Sequence, residues 1–310
     1  MPLTIVTYHY VRELQNSRYP TIKGRDIAEF KAQLDHIERH FEVVSSADVV
    51  GACKGENELP RNALWLTFDD GYLDHFVNVL PLLHARKLHG AFFPTVNTVV
   101  RGELLDVNKV HFIRAAQPDT GPIIAAMKSH IDARGGQDGV EPFEAYWQAH
   151  ARPGRYDPAE VMFMKAVLQH ALPETERNVL VDELFARFVS VDQMAFAREL
   201  YMTEEQLRML LQCGMYVGPH GTRHYWLDRM SEDEQATEIS TGLDFMRRLG
   251  APTTDWVMCY PYGASDEKLR ALLGRKACAV GLTVESGVVE IGRDDPLLLR
   301  RRDTNELPIV

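Results

Sequence analysis

The chain has 310 residues, 45% hydrophobic and 25% charged, with a formal net charge of -10. That size supports a large core in one domain with an insertion, and no apolar run approaches the roughly 20 residues needed to span a bilayer. The acidic balance argues against nucleic-acid binding through a broad basic surface, with Arg300-Arg301-Arg302 as a local basic cluster.

Leu3 to Tyr8 reads as a strand, and the start at Met1 has neither a basic leader nor an apolar stretch ending in a cleavage site, so the expected location is the cytoplasm. A helix follows over Asp26 to His40, with Phe30, Leu34 and Ile37 on its inner stripe, then a short strand at Glu42 to Val44. Next come a strand at Ala63 to Thr67, a helix from Tyr72 to Lys87, and a strand from Gly90 to Phe93 that stops at Pro94. Alternation ceases between about Arg101 and Met202, so residues 101–202 are read as a mainly helical insertion in which Gly135-Gly136-Gln137-Asp138-Gly139 is a loop. Beyond it, strands Met215 to Gly218, Trp256 to Tyr260 and Ala277 to Leu282 alternate with helices Ser231 to Leu249 and Asp266 to Gly274, and Leu297 to Leu299 reads as a last strand. About eight strands alternating with helices define an α/β chain whose parallel sheet can close into one barrel over residues 1–310. Cys53, Cys213, Cys259 and Cys278 show no paired spacing, which fits reduced thiols in packing roles.

Two clusters carry chemistry. Leu64-Trp65-Leu66-Thr67-Phe68-Asp69-Asp70-Gly71-Tyr72 reads as an apolar strand delivering adjacent carboxylates to a rim, where Gly71 permits a tight exit. Like charges that close repel, so a nearby cation is the simplest way to keep both ionised; an Asp N-cap before a helix is the plainer alternative. His220-Gly221-Thr222-Arg223-His224 sets two imidazoles four residues apart after an apolar strand, a spacing that lets both reach one ion. In a barrel of parallel strands the active site lies at the strands' carboxyl ends. His9, Asp69 with Asp70, His220 with His224, and Pro261-Tyr262-Gly263 each follow a strand and so share one rim, which points to a metal-dependent catalytic site. The 101–202 insertion is expected to cap that rim. Asp74 and His75, on the following helix, are read as a capping and surface pair.

Thr67-Phe68-Asp69-Asp70-Gly71-Tyr72 resembles the first motif of the polysaccharide deacetylases, the NodB-like carbohydrate esterases. His220-Gly221-Thr222-Arg223-His224 resembles their His-x-x-x-His motif and Tyr260-Pro261-Tyr262-Gly263 their third, with order and spacing agreeing over roughly residues 1–100 and 203–304. The resemblance implies a distorted (β/α) barrel that removes acyl groups from N-acetylated sugars with a divalent metal, commonly zinc. Carried over, Asp70, His220 and His224 hold the metal and leave open positions for water and substrate. Asp69 is the general base, and the backbone N–H of Tyr262 holds the developing oxyanion. Tyr72, Pro261 and Gly263, beside these residues in the motifs, are expected to bind substrate. Asp106, Asn108 and Lys109, which open the insertion, are read as contacts for a sugar hydroxyl or phosphate, or equally as helix caps.

The chain departs from the family pattern in three places. Cys259 stands where many members have the arginine that orients the base, and Arg301, near the end of the last strand, is the candidate to reach inward instead. A solvated basic cluster explains Arg301 as well. Gly221 stands where Ser or Thr is common, with Thr222 as the compensating residue. No histidine follows His224, so the late general-acid histidine is missing. His9 is the candidate replacement, because the first strand of a closed barrel neighbours the last and imidazole has suitable acidity near neutral pH.

The expected activity is metal-dependent removal of an N-acetyl group from an acetamido sugar or sugar precursor for surface polysaccharide. The alternatives are a hydrolase of a small non-sugar amide and a catalytically silent carbohydrate-binding protein. The expected partner is an acetylated sugar, with no nucleic acid and no membrane span.

Overall fold

The computed structural model describes residues 1–137, 139–154 and 157–309. Asp138 of the glycine-rich loop expected above, and Arg155 and Tyr156, lie outside the described residues. The chain forms two compact units, one of Met1–Glu13, Gly24–Glu103 and Ala197–Val310, the other of Leu14–Lys23 and Leu104–Phe196.

The first unit is an α/β barrel. Its strands are β1 (Pro2–Tyr8), β2 (Glu42–Val43), β3 (Ala63–Asp70), β4 (Ala91–Pro94), β5 (Tyr216–Val217), β6 (Trp256–Cys259), β7 (Cys278–Leu282), β8 (Val289–Glu290) and β9 (Arg302–Asp303). Every residue of β3 is buried, which is why its sequence is a continuous apolar run rather than an alternation: a parallel strand is covered on both faces. β1, β3, β4 and β5 lie side by side in parallel, and β9 pairs in parallel with β1. β6 and β7 form a separate parallel pair. Backbone bonds outside the strand pairs complete the circuit. Cys259 N–H donates to Pro219 O at 3.2 Å, joining the β5 exit to β6, and Leu299 N–H donates to Gly281 O at 2.8 Å, joining β7 to the segment that leads into β9. The ring is thus closed but irregular, a distorted (β/α) barrel.

Several element ends move for physical reasons. The helices expected to begin at Asp26, Ser231 and Asp266 begin one residue later, because each of these side chains accepts a backbone N–H as an N-cap. The helix expected over Tyr72 to Lys87 is instead a π-helical turn, His75–Val79, followed by an α-helix, Leu80–Arg86. Leu297 to Leu299 is not a strand: Pro296–Leu298 is a 3-10 turn whose Asp295 cap and proline set its start. The terminal strand is β9, and Arg301 immediately precedes it.

The second unit is mainly helical over its longer segment, with helices such as Asp106–Ala116, Gly121–Arg134 and Glu174–Phe188. Phe112, Phe185, Phe196 and Tyr19 interlock in its core, with Phe112 and Phe196 edge-on at 4.7 Å. Lys109 is buried and engaged by Asp106 at 2.9 Å and Asp182 at 2.6 Å. Its ammonium serves the packing of this unit, not a sugar as the sequence suggested.

Candidate active site at the strand ends

β3 carries Asp69 and Asp70 level with Phe93 and Pro94 of β4. The chain then turns sharply: Asp70 and Gly71 both have positive φ, 69° and 72°. A Cβ on Gly71 would lie 2.8 Å from Pro94 Cβ, so only glycine lets the strand exit here. His224 and Tyr262 also hold positive φ, 57° each. Strained backbone of this kind gathers where a side chain has to be aimed against local preference.

Asp70 Oδ1 lies 3.4 Å from His220 Nε2 and 3.5 Å from His224 Nε2. All three side chains are buried, and their ligating atoms lie within 4.8 Å of one another. Asp70 Oδ1 and His224 Nδ1 are buried without a hydrogen-bond partner. The second carboxylate oxygen, Oδ2, accepts the Tyr72 hydroxyl at 2.5 Å, and His220 Nδ1–H donates to the Cys259 carbonyl at 2.8 Å. These outer bonds leave one oxygen and one Nε2 facing a common point. Ligands at zinc distances of about 2.0–2.2 Å in a tetrahedron stand about 3.3–3.6 Å apart, so the donor set fits a tetrahedral cation.

A second buried trio, Asp69, His220 and Cys259, is equally compact but chemically committed. Both oxygens of Asp69 face Arg301, His220 Nδ1 is used, and burial raises the Cys259 pKa, keeping the thiol protonated. The Asp70 trio is the metal candidate.

Arg301 Nη1 donates to Asp69 Oδ1 and Nη2 to Oδ2, each at 2.8 Å, while Nε donates to Thr283 O at 2.8 Å. Arg301 and Asp69 are each 2% exposed. The guanidinium therefore reaches inward, and the basic-cluster alternative does not hold for it. Cys259 Sγ approaches Asp69 Oδ1 at 3.4 Å from β6, and Thr7 Oγ1 approaches Oδ2 at 3.3 Å from β1.

Burial raises the Asp69 pKa, but the Arg301 charge and bonds, with His220, outweigh it and hold the carboxyl below the usual range. Burial opposes ionisation of Asp70 too, and the nearby His220, with the charges of His224 and His9, again outweighs it. For His224 burial prevails and lowers the pKa to about 4, so the ring is neutral near pH 7 and able to ligate. His9 follows β1, half-buried, and its charge acts on Asp69, Asp70 and His224.

The motif neighbours sit differently from expectation. Tyr72 is 0% exposed, stacked on Tyr10 at 4.2 Å, and holds Asp70 rather than meeting substrate. Pro261 is buried where a Cβ on Gly221 would lie 3.1 Å from its ring, so it packs on the histidine loop. Gly263 has no room for a side chain, because a Cβ would meet Val284 N at 2.8 Å; its role is backbone fit. Tyr262 stacks on Trp226 at 4.4 Å and meets His224 edge-on at 4.5 Å.

Glu238 and Asn78 escape the sequence reading, and Asp74 and His75 lie inside rather than on the surface as expected. Glu238, on helix Glu232–Leu249, accepts the Thr222 N–H at 2.7 Å and the Thr222 hydroxyl, and so braces the loop at Gly221. His75 is 0% exposed rather than on the surface, and Asp74 is 8% exposed and paired with Arg12. Asn78 bonds the Val11 carbonyl. A serine- or threonine-anchored loop is a signal to look for an acidic partner; nothing local marks the other three.

The description "Polysaccharide deacetylase" matches residues 56–117 and 184–279, just over half of the chain, which therefore belongs to that family. It is a hydrolase of N-acetyl amide bonds by that membership. No curated protein matches the chain. Among solved structures it is similar to the Streptococcus pyogenes deacetylase PplD in complex with acetate, at 15% identity and TM-score 0.61, covering 98% of this chain and 92% of that one. It is similar to IcaB from Ammonifex degensii, at 18% identity and TM-score 0.55, covering 97% and 90%. The deacetylase domain of BpsB from Bordetella bronchiseptica matches at 15% identity and TM-score 0.55, covering 97% and 95%. These likenesses extend over the full barrel fold. Among the described residues no helix is long and apolar enough to cross a membrane.

Proposed function

We propose that the protein is a metal-dependent N-deacetylase of an acetamido sugar or sugar precursor used in surface polysaccharide, with zinc at Asp70, His220 and His224. One observation carries this reading: Asp70 Oδ1, orphaned by the Tyr72 bond to its partner oxygen, faces both imidazole Nε2 atoms at 3.4 and 3.5 Å. The ion, when bound, acidifies a water and polarises the acetyl carbonyl.

Asp69, kept ionised and oriented by Arg301, takes a proton from the attacking water as the new C–O bond forms. The backbone N–H of Tyr262 donates to the carbonyl oxygen as it gains charge. His9 as imidazolium gives its proton to the leaving nitrogen as the C–N bond breaks, which yields acetate and a free amine. Arg301 on Asp69 removes the motive for a catalytically silent binder, which was the absent arginine. Cys53, Cys213, Cys259 and Cys278 are free thiols, which supports a reducing compartment and so the cytoplasm.

The test is mass spectrometry of acetamido sugars, free, nucleotide-linked and oligomeric, incubated with zinc-loaded protein. A loss of one acetyl, abolished by chelator and by Asp69→Asn, is expected. Turnover of small non-sugar amides alone would replace the sugar reading, and turnover undiminished after complete metal removal would end the metal one.

A further inference from the structure

The segment that follows Asp70 grips the stretch of chain that carries His9. His75–Val79 is a π-helical turn, a widened geometry that recurs at functional sites. Its side chains close on the loop after β1. His75 Nε2–H donates to the His9 carbonyl at 2.7 Å and Asn78 Nδ2 to the Val11 carbonyl at 2.8 Å. Asp74 accepts from Arg12 Nε at 2.7 Å and from the Val11 N–H.

His75 stands out in this clamp. It is 0% exposed, walled by Phe68 at 5.4 Å, Tyr72 at 5.6 Å and Phe92 at 5.9 Å between ring centroids. A carbonyl can only accept, so Nε2 carries the proton and Nδ1 is a bare lone pair, and Nδ1 is buried without a partner. A half-satisfied ring among aromatics is a poor choice for stability, since an unpaired buried polar atom is costly and phenylalanine would fill the same space. What histidine adds here, and phenylalanine lacks, is the bond to the main chain of His9.

We propose that His75 is a positioning residue that fixes the backbone of His9, and so sets the reach of the His9 imidazole to the leaving nitrogen. The inference rests on His9 being the proton donor of the deacetylase reading. Asp74 and Asn78 hold Val11 and Arg12 of the same loop, so the loop cannot compensate by sliding. Motif one thereby supplies the base, a metal ligand and the seat of the acid within one short run of chain.

The experiment compares two acetyl donors on the zinc-loaded full chain: N-acetylglucosamine oligomers, whose amine leaves only when protonated, and 4-nitrophenyl acetate, whose phenolate leaves without a proton. His75→Phe preserves the aromatic packing and removes the donor; His75→Gln offers an amide N–H near the Nε2 position. His75→Phe is expected to lower kcat on the amide about 10- to 100-fold with KM nearly unchanged, while ester cleavage changes less than about 3-fold. His75→Gln is expected to recover most of the amide rate, and adding His75→Phe to His9→Ala is expected to cause no further loss. Equal losses on amide and ester, or a fully multiplicative loss in the double variant, would overturn the positioning role. Wild-type protein that cleaves the ester and no amide would overturn the deacetylase reading itself, and the positioning role with it.

Discussion

Arg301 forks onto Asp69, one guanidinium nitrogen to each carboxylate oxygen at 2.8 Å, from the residue just before β9 to the end of β3. The two residues are 232 positions apart in the chain, yet β1 lies between their strands and pairs with both. Circular closure of the barrel therefore brings the proposed base and a cation that orients it together. Cys259, on β6, leaves space for that guanidinium.

Arg301→Lys keeps a charge but loses the planar fork and one of the two bonds to Asp69. Asp69 in the wild type is held below its usual range, so its contribution to stability is full above the unfolded carboxylate pKa and is lost only as pH falls through the depressed folded value. In the variant the folded value rises toward the ordinary one, because a single bond and a less well placed charge offset burial less. The acid limb of kcat/KM is expected to move to higher pH, with the plateau rate down about 100-fold. A pH–rate profile identical in shape to wild type would show that Arg301 does not govern the ionisation of Asp69. Arg301→Ala, which strands a buried carboxylate, is expected to cost about 3–5 kcal/mol in chemical denaturation.

Tyr72→Phe removes one hydroxyl and retains the ring that stacks on Tyr10 and Tyr201. Asp70 Oδ2 then loses its donor, and the carboxylate is free to rotate away from the geometry in which Oδ1 faces the imidazoles. Outer bonds of this kind are worth about 10- to 100-fold in metal affinity, a loss readable by chelator competition. Unchanged affinity would mean that packing alone orients Asp70.

The buried His75 also predicts a pH dependence of stability. Burial lowers its pKa to about 4 from 6.5, so in the folded protein it stays neutral while the unfolded chain takes up a proton. Its contribution is thus full above pH 6.5 and is lost as pH falls toward 4. The difference in unfolding free energy between wild type and His75→Phe is expected to shift against the wild type by up to about 1.4 kcal/mol per pH unit across that window. Urea titrations at several pH values measure it, and a constant difference would mean that His75 is protonated in the fold.

The convergence of Asp70, His220 and His224 is legible because each residue sits in a short motif at a strand exit, where local pattern and the rule for parallel barrels agree. Arg301 was only half legible. It lies between Arg300 and Arg302, and which of three arginines turns inward depends on pleat and register at the start of β9, which no local pattern states. His75 is expected on the surface of a regular helix, whereas it opens a π-helical turn that faces the core. Tyr72 was misplaced for a related reason: paired positive φ values at Asp70 and Gly71 redirect the chain, so the last residue of the motif enters the core instead of lining the rim. In each case the missing information was a backbone departure or a long-range register.

Glu238 offers the last test, because it holds the loop between His220 and His224, the two proposed ligands, through Thr222. Its carboxylate accepts both the Thr222 N–H and the Thr222 hydroxyl. The carbonyls of Gly221 and Thr222 are taken by Val96 N–H at 3.1 Å and Asn97 N–H at 2.9 Å. The loop is thus pinned on both sides, while Gly221 holds a φ of 73° that a larger residue would strain. Glu238→Ala leaves the Thr222 N–H without its charged acceptor, at a cost of about 1.5–3 kcal/mol for a bond of this type. His220 and His224 lie on either side of the released residue, so zinc affinity is expected to fall together with thermal stability, and Glu238→Gln, which keeps one acceptor oxygen, is expected to lie between. Calorimetric zinc titration separates the outcomes: a destabilised Glu238→Ala protein that still binds zinc as tightly as wild type would confine Glu238 to the scaffold and leave the spacing of the imidazoles to the β5 exit alone.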